Sequence, residues 1–161
     1  DIPIRLSALL SLCSLLEITL PEREPQENIW NASKALLDIL SLSENENEWL
    51  SFFIRWEIGL LRELGFALKL QCCGVTGSTL ELAYVSPKTG SAISKNAAGA
   101  YADRLLVLPM CLGGYTKTKE EFAAGIKITG HFLQKYIFNT INRKLPTPRE
   151  RLANMVESLN L

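Results

Sequence analysis

The chain has 161 residues, 47% of them hydrophobic and 21% charged, with 10 glycines and 7 prolines; that balance excludes a disordered, collagen-like or low-complexity chain, and the length suits one compact core. Its 17 basic and 17 acidic side chains cancel, which excludes attraction of the whole chain to nucleic acid or to an anionic membrane. The charges are unevenly placed: residues 1–50 hold 3 basic against 9 acidic side chains, residues 51–112 hold 6 against 4, and residues 113–161 hold 8 against 4.

From Arg5 to Leu20, the positions Leu6, Leu9, Leu10, Cys13, Leu16 and Leu20 recur every three or four residues, which predicts a helix that buries this face and ends at Pro21. The run from Leu6 to Leu16 is broken by Ser7, Ser11, Cys13 and Ser14 and falls short of the ~20 residues of a membrane span, so no transmembrane helix is expected. The start at Asp1, without an initiator Met or a basic leader, predicts no signal peptide and reads as a cut in a longer protein. After the polar turn Pro21–Pro25, a second helix is expected from Glu27 to Leu42, through Ile29, Trp30, Ser33, Leu36, Leu37 and Leu40. The break from Ser43 to Asn47 supplies N-caps for a third. Its stripe of Trp49, Phe52, Phe53, Trp56, Leu60, Leu61 and Leu64, closing at Gly65, marks it as the most central element.

Between Ala67 and Gly114 the periodicity changes. Gly74, Gly77, Pro87, Gly90, Gly99, Pro109, Gly113 and Gly114 punctuate short pieces such as Leu82 to Ser86, which predicts a compact, turn-rich insert. Helical spacing returns at Thr118 and runs through Phe122, Ile126, Thr129, Phe132, Leu133, Tyr136, Ile137 and Ile141 as a long fourth helix. Leu145 to Pro148 stops it. Thr147 is then expected to cap a last helix with Pro148 first and with Leu152, Met155, Val156 and Leu159 facing inward.

The residues offer little catalytic chemistry. Cys13, Cys72, Cys73 and Cys111 lack the paired spacing of a zinc site or a disulfide framework, and read as reduced thiols in a reducing cytoplasm. A thiol with His131 as its base is conceivable, but His131 lies inside a helical run between Gly130 and Phe132, where a structural imidazole is the plainer reading. No nucleophile elbow, phosphate-binding loop or dinucleotide fingerprint occurs, so neither an enzyme nor a cofactor is expected.

Two binding surfaces are conceivable. Phe52 and Trp56 in the aromatic stripe would frame an apolar groove with Arg55 at its rim, where a guanidinium suits a partner's carboxylate. Lys117, Lys119, Lys127, Lys135, Arg143, Lys144, Arg149 and Arg151 would contact phosphates without reading sequence, and such contacts weaken with salt.

The run from Phe53 to Phe66, with Arg55, Trp56, Glu57, Leu60, Leu61, Leu64 and Gly65 at fixed spacing, resembles a segment of the bacterial RecO family. The similarity continues through Leu70 to Gly77 and Ala83 to Gly90, which look like that family's finger region. Gly130 to Leu133 and the basic tail resemble its alphaproteobacterial members. The resemblance covers nearly the whole chain but only the C-terminal part of the family, without its N-terminal oligonucleotide-binding barrel.

It implies a mainly α-helical domain over residues 1–161, a bundle of about five helices (about 4–66 and 115–160) with a small metal-free, zinc-finger-like insert (about 67–114). Zinc-binding members carry two pairs of finger cysteines; here Cys73 matches the first position, while Thr76, Ser94 and Ala97 stand at the other three. The implied function is DNA repair and recombination mediation in the cytoplasm, with the nucleoid: binding single- and double-stranded DNA, annealing strands and, with RecR, loading RecA onto DNA coated by single-strand-binding protein. That protein's acidic, apolar C-terminal tail is the implied occupant of the Arg55 groove. The alternative is a helical protein-interaction module with no role at DNA, and a thiol enzyme is a distant third.

Overall fold

In the computed structural model, residues 2–159 are described. Helix α1 (Ile2–Thr19) is followed by α2 (Glu27–Leu42) and α3 (Glu46–Glu63). Asn45 caps α3 by accepting the Asn47 N–H at 3.0 Å, and Gly65, at φ 93, takes the left-handed conformation that ends it. The insert holds strands β1 (Lys69–Cys73), β2 (Leu82–Val85) and β3 (Ser91–Ser94), the single-turn helix α4 (Lys95–Ala98), and strand β4 (Leu106–Val107). Helices α5 (Glu121–Leu133) and α6 (Thr147–Ser158) complete the chain.

The architecture is mainly helical, as the periodicity predicts, with five long helices among the described residues. The turn-rich insert adds what the sequence did not resolve: a four-stranded mixed sheet in the order β1-β3-β2-β4, with β1 parallel to β3 and the other pairs antiparallel. The sheet leans on α5. Gly90, at φ 70, sits where a Cβ would come within 2.9 Å of Leu68 and 3.6 Å of Phe132, so only glycine fits both the turn and the contact.

The core gathers on α3, whose Trp49, Leu50, Phe53, Ile54, Leu60 and Leu61 are fully buried. Helix α2 lies along one side of it, where Trp56 Nε1 donates to Ser33 Oγ at 2.9 Å. On the other side α5 approaches so closely that a Cβ on Gly125 would meet Ile54 Cδ1 at 2.7 Å. Helix α6 packs on α5 and on α1, where Ser7 Oγ meets Met155 Sδ at 3.6 Å.

Three expectations need correction. Helix α1 buries Ile4, Ser7, Ala8, Ser11, Leu12 and Leu15, while Leu6, Leu9, Leu10 and Cys13 face outward. The helix is apolar nearly all round, so spacing alone selects no face, and the small Ser7, Ala8 and Ser11 let α6 come close. Its 18 residues have a mean hydropathy of 1.5, so by length and composition it is able to cross a membrane, contrary to the sequence expectation; the scattered serines do not lower hydropathy enough. Here its inner face is packed as in a core helix. Thr147 begins α6 rather than capping it, because Pro146 holds the cap position and no side chain caps the end.

The fourth helix starts at Glu121 rather than Thr118, and beyond Leu133 its hydrogen bonding widens over Gln134–Phe138 before tightening over Asn139–Ile141. Asn142, at φ 53, then reverses the chain. This widened turn rotates the last part of the stripe, leaving Ile141 exposed.

Candidate functional site

Arg55 lies on the solvent side of α3, one turn after Phe52, whose ring is 40% exposed. Its Nε donates to the Cys111 carbonyl at 3.1 Å. The preceding peptide is fixed as well, because the Cys111 N–H donates to Glu121 Oε1 at 2.8 Å. Glu121 Oε2 in turn accepts the N–H and hydroxyl of Thr118, each at 3.1 Å. The first turn of α5 thus anchors the loop that holds Arg55, and a preset guanidinium loses less freedom on meeting a carboxylate. Exposed Met110 adjoins the same peptide and adds apolar surface.

Trp56 does not belong to this surface. It is buried and turned toward α2, where its indole N–H satisfies Ser33, so of the proposed groove only Phe52 and Arg55 are presented to solvent. Glu57, next along, is wholly buried. It accepts from Arg149 Nε at 2.5 Å and Nη2 at 3.0 Å, and from the Thr129 hydroxyl. Arg149 Nη2 also donates to the Ile126 carbonyl at 2.9 Å and to Thr129 Oγ1 at 3.1 Å.

Arg149 is therefore a structural residue, not a phosphate contact: it is 1% exposed, and a guanidinium with its carboxylate partner in the core is out of reach of DNA. The other cations are divided among separate places. Lys119 and Lys127 are exposed, and each lines a hollow that also holds Glu120 and Glu157. Lys135 donates its ammonium to the carbonyls of Pro87 at 3.0 Å and Lys88 at 2.8 Å, pinning the β2–β3 turn to the segment that continues α5. His131 Nε2 lies 2.9 Å from the same Pro87 oxygen, which gives the imidazole the structural role preferred from sequence. Arg143 and Lys144 are adjacent and exposed in the link between α5 and α6, with Arg151 exposed on α6.

The finger positions come together on the two turns 73–76 and 94–97. Cys73 Sγ accepts the Ser94 N–H at 3.3 Å, Ser94 Oγ accepts the Ala97 N–H at 3.3 Å, and the Thr76 hydroxyl bonds to the Cys73 sulfur. One thiolate, two aliphatic hydroxyls and a methyl do not fit zinc, which needs four strong donors. Among the described residues no cluster of three or more metal-ligating side chains occurs. Burial pushes the Cys73 thiol up, but the Thr76 hydroxyl and the N–H groups of Ser94, Thr76 and Val75 outweigh it and bring the pKa down to about 6.

Cys111 is the opposite case. Burial and the neighbouring Glu121 carboxylate raise its pKa to about 11 against the pull of Arg55, so it is a neutral thiol at physiological pH. Cys13 and Cys72 are exposed.

A family profile described as "Recombination protein O C terminal" matches residues 3–145. The DNA repair protein RecO of Cereibacter sphaeroides is 46% identical over 153 residues, covering 94% of this chain and 62% of the relative. That of Rhodospirillum centenum is 43% identical over 155 residues, with 94% and 60% covered. That of Gluconacetobacter diazotrophicus is 39% identical over 161 residues, with 98% and 63% covered. The chain thus spans about three-fifths of the length of these relatives. No solved structure matches.

Proposed function

The chain belongs to the RecO family of DNA repair proteins, recombination mediators rather than enzymes, and on that premise we propose that it is the helical C-terminal domain of such a mediator. In this reading the full protein binds single- and double-stranded DNA, anneals strands and, with RecR, loads RecA onto DNA coated by single-strand-binding protein. It acts in the bacterial cytoplasm, with the nucleoid. The chain forms a single domain, residues 1–161, whose task is to bring partners and DNA together.

The observation that supports this domain's share most is the preset Arg55 beside the exposed ring of Phe52. A peptide tail ending in carboxylates and an aromatic ring suits that pair, which makes the tail of single-strand-binding protein its partner. Lys119, Lys127, Arg143, Lys144 and Arg151 supply the phosphate contacts, without base readout. The finger, held by the Cys73 and Ser94 turns, works without metal.

A second reading, a helical protein-interaction module with no DNA contact, is favoured by the fate of the cations: Arg149 is buried and Lys135 is committed to carbonyls. Salt separates the two. Binding of a labelled single-stranded oligonucleotide that weakens steadily with added salt supports the mediator reading. Absence of binding at low salt supports the interaction module.

A further inference from the structure

A hollow of about 530 Å³ lies between the end of α1 and the start of α2, and none of the binding residues proposed above lines it. Its walls are apolar: Leu16 and Leu20 from the end of α1, Ile29 and Trp30 from α2, and Pro21 and Pro25 from the turn between them. Trp30 is 65% exposed at its edge. A solvent-facing indole beside an open apolar hollow offers area for a contact, since aromatic side chains are enriched where partners bind. The helices run antiparallel here, since Arg5 Nη1 reaches the Leu40 carbonyl at 2.8 Å at their other end.

Charge identifies the occupant. Glu24 and Glu27 line the hollow, and Glu22 stands with Arg23 on the turn between the helices, while Glu17 lines a separate hollow with Arg143 and Lys144. This is the acidic end of a chain whose first fifty residues carry three acids for each base. An apolar floor under an acidic rim accepts a bulky apolar side chain flanked by lysine or arginine, and repels the acidic tail suited to Arg55. We propose that the hollow is a docking site for a cationic segment of a partner protein, with an apolar anchor seated against Trp30.

The test follows tryptophan emission during titration with a short synthetic peptide that has a Leu-Phe centre flanked by lysines. Trp49 and Trp56 are buried, so Trp30 reports the contact. The expected result is saturable binding with a blue shift, weakened roughly tenfold by Glu24→Lys with Glu27→Lys, and restored to that variant by a peptide with glutamates in place of lysines. Anisotropy of the labelled peptide with Trp30→Ala, an exposed site whose replacement spares the core, is expected to show a similar loss. Equal binding of the lysine and glutamate peptides by the unaltered chain, or indifference to all these substitutions, overturns the proposal. Self-association abolished by Trp30→Ala assigns the hollow to a second copy and also overturns it.

Discussion

Arg149 of α6 and Glu57 of α3 form a two-pronged ion pair in the core, Nε to Oε1 at 2.5 Å and Nη2 to Oε2 at 3.0 Å, with neither side chain more than 1% exposed. The pair ties the last helix to the most buried one, and Thr129 of α5 closes the cluster. Removing one partner leaves the other charge buried and unpaired. Glu57→Gln is expected to destabilise the fold by about 3–5 kcal/mol, and Glu57→Leu with Arg149→Met to recover most of that. Urea unfolding measures both. An unchanged midpoint for Glu57→Gln contradicts the arrangement.

This cluster was legible in part. Glu57 lies four residues after Phe53 and four before Leu61, on the apolar stripe of α3, and Arg149 shares a face with Leu152 and Val156. A charge on a buried stripe requires a buried counter-charge, but sequence spacing does not say which. The extents of α2 and α3 and the centrality of α3 follow from periodicity, because each has one clear apolar face. Helix α1 does not, and its inner face is set by the small residues that admit α6. The sheet escaped notice because its strands are at most five residues long and pair irregularly. Arg55 and Phe52 face solvent, and Trp56 does not, since an indole on a helix flank turns toward whichever neighbour offers both burial and an acceptor.

Cys73 makes stability depend on pH. Its pKa falls from 9.0 to about 6 on folding, so its contribution is complete above pH 9 and is lost as the pH falls through 6. Stability is expected to rise between those limits by up to roughly 1.4 kcal/mol per pH unit, and Cys73→Ser to remove that rise. The raised pKa of Cys111 adds no slope in this window, because its thiol is protonated in both states below 9. Parallel stability profiles for the two proteins contradict the hydrogen-bonded thiolate.

The turns at 73–76 and 94–97 keep the spacing of a zinc knuckle while lacking three of its donors. Thr76→Cys, Ser94→Cys and Ala97→Cys together are expected to create a tetrathiolate site that binds zinc or cobalt with tetrahedral geometry. Cobalt absorption reads this directly. Octahedral or weak cobalt binding means that the four positions do not converge.

Phosphate binding is expected to centre on the link between α5 and α6. Arg143→Gln with Lys144→Gln is expected to reduce the salt slope of duplex binding by about 0.9 for each phosphate no longer neutralised. Lys119→Gln with Lys127→Gln is expected to change it less, because each of those lysines shares its hollow with both Glu120 and Glu157, whereas Arg143 and Lys144 stand together in hollows that hold a single acid, Glu150 or Glu17. The reverse ranking moves the DNA-binding surface to the start of α5.

The central claim, that this domain receives the tail of single-strand-binding protein at Arg55, is tested most directly by anisotropy of a labelled peptide ending in an acidic run and a terminal Phe. The unaltered chain is expected to bind it, to lose binding when that Phe is removed, and to lose roughly 1–3 kcal/mol with Arg55→Ala. Undiminished affinity in Arg55→Ala, or equal binding of the peptide without its terminal Phe, contradicts the account.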